Sequence, residues 1–150
     1  MLRDTIKAET ITAMKAKDKE RTAALRLIAA KIKDRDIEMR TSSKDVDDDA
    51  MIVEVLQKMG KQRKESIAMY RDGGREELAA KEEAELAVID EFLPTQMDDA
   101  ETRAAIETIK SETGAASVKD MGKIMAALKS RHGAQLDMTR ASALVKESLA

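Results

Sequence analysis

A chain of 150 residues suits one domain or two small ones, and it is long enough to bury roughly 68–70% of its extended surface in a core. The lack of cysteine excludes a disulfide framework, a thiolate metal site and a cysteine nucleophile; ten Met, one Phe, one Tyr and no Trp beside many Ala, Leu and Ile favour helices over strands. A net charge of −2, from 27 basic and 29 acidic side chains, excludes a nucleic-acid binder driven by overall charge and leaves only local patches.

The expected fold is all-α, with about four helices in an N-terminal domain over residues 1–93 and three in a small C-terminal module over residues 94–150. Leu2, Ile6, Ala13 and Met14 give a first helix a sparse apolar edge that ends near Lys17 and Asp18, with Asp18 as the next cap. A second helix runs from about Lys19 to Met39 and turns Leu25, Ile28 and Ile32 inward. Its outer set of Arg26, Lys31, Lys33, Arg35 and Arg40 is interrupted by Asp34, Asp36 and Glu38, the pattern of a solvated helix surface. Thr41-Ser42-Ser43-Lys44 is a polar connection. Asp45, Asp47, Asp48 and Asp49 then supply negative charge to a helix N-terminus; Leu56 stands where a calcium loop needs its last glutamate, so capping is preferred to metal binding.

A third helix, from these aspartates to about Arg71, places Ile52, Leu56, Met59, Ile67 and Tyr70 for burial and carries the densest basic run, Lys58 to Lys64. That run reads first as a solvated face and second as a phosphate-facing surface. Asp72-Gly73-Gly74 is a turn without the spacing of a phosphate loop. The fourth helix, about Arg75 to Phe92, has Leu78, Leu86, Ile89 and Leu93 on one side and Glu76, Glu77, Glu82, Glu83 and Glu85 on the other, an acidic face that reads first as solubilising and second as complementary to the basic third helix. Pro94 biases Leu93 away from helical geometry and marks the domain boundary.

Beyond it, Asp98 or Asp99 caps a fifth helix to about Thr113, and Gly114 reads as a helix stop. Ser117 with Asp120 makes a capping box for a sixth helix, to about Ser130, on which Met121, Ile124, Met125 and Leu128 share one apolar face. Gly122 inside that helix costs about 1 kcal/mol relative to alanine. It implies close approach by another backbone, ordinarily a neighbouring helix and otherwise a partner molecule. Asp137 or Thr139 starts a last helix that buries Leu144, Val145 and Leu149.

The run Gly114-Ala115 through Ser117, Lys119-Asp120-Met121-Gly122-Lys123 and Met125, followed by Asp137 and Leu144-Val145-Lys146, resembles the GatB/YqeY family. Leu93-Pro94 and Gln96 resemble the usual entry into its C-terminal module, and the helical N-terminal part is similar to the stand-alone YqeY-like proteins. The resemblance covers essentially the whole chain. It implies kinship with the tail of the B subunit of the tRNA-dependent amidotransferase, which helps hold the tRNA body, and brings a family-level label of carbon–nitrogen ligase with glutamine as amido-N-donor.

The residues themselves build no such enzyme. His132 is the sole histidine available as a base, Ser117 with Lys119 lacks the desolvated surroundings that activate a lysine, and paired Glu-x-x-His motifs for a di-metal bundle are missing. No cofactor and no metal are expected. Two functions remain. The first is an RNA-contacting accessory module, with tRNA as partner, in which Lys119, Gly122 and Lys123 match the family's motif and Arg131 and Arg140 are added from local charge. With equal numbers of acidic and basic side chains after Leu93, such a site has to arise from arrangement. The second is a protein-binding adaptor that docks helices on Met121, Met125 and Met138, unless those methionines fill the module's own core. Met1-Leu2-Arg3-Asp4 does not read as a leader, and no apolar stretch approaches the ~20 residues that span a bilayer. The expected location is the cytoplasm, without membrane contact; the oligomeric state is left open.

Overall fold

Straight-chain and small apolar residues at three- and four-residue spacing give helix after helix, and acidic caps set where four of the seven begin. The computed structural model of the chain describes residues 1–42 and 45–150. Ser43 and Lys44, within the expected polar connection, lie outside the described residues. The helices are α1 Leu2–Lys15, α2 Lys19–Met39, α3 Asp48–Asp72, α4 Glu76–Glu91, α5 Asp99–Thr113, α6 Met121–His132 and α7 Met138–Leu149. Single 3-10 turns occupy Val118–Asp120 and Gly133–Gln135, and the described residues contain no strand. The chain divides into two compact units, Met1–Leu93 and Pro94–Ala150.

Four aspartates cap as side-chain acceptors. Asp18 accepts from Arg21 N at 3.1 Å, Asp47 from Ala50 N at 3.0 Å, Asp98 from Glu101 N at 2.7 Å and Asp137 from Thr139 N at 2.9 Å. Each such cap stabilises by about 0.5–2 kcal/mol. The stops differ in kind: Gly114 closes α5 in the left-handed conformation, with φ 68°, whereas the α1–α2 turn puts Lys17 there, with φ 58°. Asp18 N reaching back to Ala13 O at 3.0 Å holds Lys17 in place.

The first unit closes around Ile6, Leu25, Ile28, Ile32, Ile52, Leu56, Met59 and Ile89. Met14 and Leu78, expected inward, stand half-exposed; Ala13, also expected inward, is buried, and Ala79 is buried beside Leu78. One residue turns about 100° around a helix, so where a large and a small apolar residue adjoin at a helix end, spacing alone does not choose between them. Tyr70 is likewise only half-buried. Helices α3 and α4 form the most extensive contact of the unit. At its centre Gly60 is buried, and a Cβ there would touch Leu86 Cδ1 at 3.7 Å and Ile89 Cγ2 at 3.9 Å.

Charge complementarity fixes the same helices. Arg63 Nε lies 3.1 Å from Glu82 and 2.9 Å from Glu85, with all three side chains about four-fifths buried, and Arg71 pairs with Glu83. The basic run of α3 is therefore not uniformly solvated, because Arg63 faces α4. Burial pushes the Glu85 carboxyl up, and a hydrogen bond with Glu82 adds to the rise while Arg63 opposes it. At the other end of the unit, Arg3 of α1 forks onto Asp36 of α2 at 2.8 Å and Asp48 of α3 at 2.7 Å. Its guanidinium holds both carboxyls below the usual aspartate range. Asp49 accepts from Leu2 N at 2.9 Å, so the aspartate cluster is occupied in capping α3 and docking α1 onto it.

In the second unit α5, α6 and α7 pack on one another around Ile106, Ile109, Ile124, Leu128, Leu136, Leu144 and Val145. The segment before α5 is stitched down: Met97 N donates to Gln135 O at 2.8 Å, and Gln96 Nε2 to Ala134 O at 3.0 Å. Met121, Met125 and Met138 are half-buried against this core, joined by Met97. They pack against the core of their own unit and keep part of their surface exposed.

Candidate nucleic-acid interface

The sixth helix owes its position to what precedes it. After the Gly114 stop, Ala116 N and Ser117 N both donate to the Asp120 carboxylate, at 3.1 and 3.4 Å. These backbone donors lower the pKa of Asp120, and the charge of Lys123 adds to the effect. The nearest carboxylate is thus turned onto backbone. Lys119 lies in the 3-10 turn and Lys123 in the first turn of α6; both are exposed, and neither makes an ion pair or side-chain hydrogen bond with a described residue. The helix N-terminus beside them contributes a further positive end.

Gly122 does not sit at a helix crossing. It is exposed, and a Cβ built on it would meet nothing within 4 Å. The expectation of a neighbouring helix is corrected, since α5 and α7 pack on the Ile124 and Leu128 side and leave Gly122 outward. The glycine that does face a helix is Gly60, which spacing alone did not single out.

Arg131 and Arg140 are placed differently. Arg131 pairs with Glu112 of α5 at 2.5 Å. Arg140 of α7 holds both oxygens of Asp99 at the start of α5, the closest at 2.7 Å, and thereby lowers the Asp99 pKa. Both arginines tie α5 to its neighbours. The structure therefore brings Lys119, Gly122 and Lys123 together and gives Arg131 and Arg140 carboxylate partners. A further signal is a property of the whole helix: from Met121 to His132 it carries Lys123, Lys129, Arg131 and His132 and no Asp or Glu, unlike the other α-helices. Counting charges over the entire unit, which balance, hid that local imbalance.

No helix among the described residues is long and apolar enough to cross a membrane, and no group of three metal-ligating side chains is found among them.

Residues 3–149 match the family described as Yqey-like protein. Over 122 residues the chain is 29% identical to altered inheritance of mitochondria protein 41, mitochondrial, of Vanderwaltozyma polyspora, a match covering 77% of this chain and 64% of that protein. The protein of the same name from Saccharomyces cerevisiae is 26% identical over 120 residues, covering 76% of this chain and 63% of its own length. An uncharacterized protein of Schizosaccharomyces pombe is 31% identical over 93 residues, covering 62% of this chain and 72% of that one. The chain thus spans slightly less than two thirds of the mitochondrial relatives. With a match from residue 3 to residue 149, the chain belongs to the YqeY-like family.

Proposed function

We propose that this protein is an accessory RNA-contacting module, related to the tail of the tRNA-dependent amidotransferase B subunit and acting on tRNA without a catalytic step of its own. The observation that carries the reading is the acid-free α6, which places Lys123 beside the open Gly122, with Lys119 in the turn just before it and neither lysine ion-paired among the described residues, in a chain whose net charge is −2. Two lysines and a helix N-terminus supply attraction for phosphate, and a glycine without a covering side chain lets a sugar–phosphate backbone come close. Arg131 and Arg140 act mainly through Glu112 and Asp99, so their part in binding is secondary. The carbon–nitrogen ligase label belongs to the same family-level reading, whereas two of the relatives named above are mitochondrial by name, unlike the expected cytoplasmic setting.

The test is binding of total tRNA by the purified protein and by a Lys119→Ala/Lys123→Ala double variant, with an Arg131→Ala variant alongside. Wild-type binding in the micromolar range, lost in the double variant and largely retained in Arg131→Ala, is the expected outcome. Absence of binding even at low salt contradicts the proposal and favours a protein partner.

A further inference from the structure

Arg63 of α3 has a single hydrogen on Nε, and two carboxylates of α4 crowd it: Glu82 at 3.1 Å and Glu85 at 2.9 Å. Three residues apart, the two glutamates share one face of α4 and lie within hydrogen-bonding reach of each other. Distance alone does not satisfy the group. Arg63 Nε and Glu82 Oε2 are both closed off from solvent, and neither has a well-formed hydrogen bond among the described residues. With both glutamates ionised, one guanidinium faces two carboxylates, which leaves an uncompensated negative charge about four-fifths buried. The other charges nearby do not correct this. Lys81 acts on Glu85 more weakly than Arg63 does. Across the cleft between α2 and α4, which Glu85 lines, Lys19 stands beside Glu20, Asp18 caps α2, Arg21 is held by Glu9 and Glu91, and Glu77 adds a further negative charge.

We propose that Glu82 and Glu85 form a single proton-binding site under Arg63, and that uptake of one proton there tightens α4 on α3. The proton comes from solvent by way of the α2–α4 cleft and adds to a Glu85 oxygen. The new O–H donates to Glu82 Oε2, which gives that orphaned acceptor a donor and leaves one carboxylate, Glu82, to balance one guanidinium. Two carboxylates at such range do not ionise independently, so the pair titrates in two separate steps. Burial holds the upper step above the ordinary glutamate value of about 4.3. The stability linked to it is full below that ordinary value and is lost as the pH rises through the upper step. The Arg3 cluster behaves oppositely, because its carboxylates are stabilised as anions. Mild acidification therefore presses α4 onto α3 before it weakens the attachment of α1, and the two ends of the unit respond in sequence.

The experiment follows the side-chain carboxyl carbons of Glu82 and Glu85 by NMR through an acid titration of the full chain, together with amide hydrogen exchange in α4, for the wild type, Glu85→Gln and Glu82→Gln. The wild type is expected to show one step above about 4.3 and one below it. Protection of α4, corrected for the intrinsic exchange rate, is expected to rise about two- to fivefold as the pH falls through the upper step. Glutamine at position 85 supplies a permanent N–H donor, so Glu85→Gln holds the raised protection at neutral pH and loses its pH dependence in that range. In Glu82→Gln, Glu85 has Arg63 to itself, and its single step falls below the wild type's upper one; this variant and the wild-type titration decide the matter if Glu85→Gln does not fold. Two glutamates that titrate together at the ordinary value, or α4 protection that falls on acidification through the same range, overturn the proposal. So does a Glu85→Gln variant whose α4 protection changes with pH as the wild type's does, since the change then arises elsewhere.

Discussion

Glycine plays two distinct physical roles on either side of the Ser117 capping box. At Gly114 the backbone is left-handed, so a side chain adds strain and removes the clean end of α5. At Gly122 the conformation is ordinary helix and the space is open, so only chain entropy is at stake. Gly122→Ala is therefore expected to stabilise the protein by about 0.5–1 kcal/mol and Gly114→Ala to destabilise it by about 1 kcal/mol or more, as read from urea unfolding midpoints. If Gly122→Ala destabilises, the helix is covered there after all and the open face does not exist. A stabilising alanine that also weakens tRNA binding would explain why a helix-weakening residue occupies the site. Sequence inspection finds the glycine but not its surroundings, because the same spacing fits a crossing and an open face.

At the scale of elements, two ion clusters respond to pH with opposite signs. Asp36 and Asp48 have pKa values lowered by the hydrogen-bonded Arg3 guanidinium. The stability they contribute is present above the ordinary aspartate value of about 3.9 and is lost as the pH falls through their lower folded-state values. Glu85, raised chiefly by burial, is favourable when protonated: its contribution is full below the ordinary glutamate value of about 4.3 and is lost as the pH rises through its folded-state value. Glu85→Gln should then be more stable than the wild type at neutral pH by up to about 1 kcal/mol, with the gain vanishing in acid. Asp36→Asn should be less stable by about 0.2–1 kcal/mol at neutral pH, and its deficit should shrink on acidification. Arg63→Met, which strands two carboxylates about four-fifths buried, is expected to cost about 1–3 kcal/mol. Denaturant titrations at several pH values decide these; a Glu85→Gln variant that is weaker at neutral pH would show that Arg63 outweighs burial.

For the molecule as a whole, helix identity and most helix limits were legible in the sequence, since caps such as Asp18 and stops such as Gly114 are local chemistry. The inward faces were legible wherever several apolar residues agreed, as with Leu25, Ile28 and Ile32 on α2. They failed at single positions, Met14 on α1 and Leu78 on α4, where an adjoining alanine is the buried residue. Long-range pairing was legible only in outline: the acidic α4 suited the basic α3, but that Arg63 rather than a neighbouring lysine makes the contact depends on α3 rotation. Likewise the free or paired state of each basic residue in the second unit, which separates Lys123 from Arg131, is set by contacts between helices far apart in sequence.

The most direct test of the central claim, that an acid-free helix face meets nucleic-acid phosphate, is the salt dependence of tRNA affinity for the wild type and for Lys119→Ala/Lys123→Ala. Loss of two phosphate contacts predicts a plot of log affinity against log salt that is steep for the wild type and shallower by about two in the double variant. Equal slopes for the two proteins, or wild-type affinity independent of salt, would contradict it.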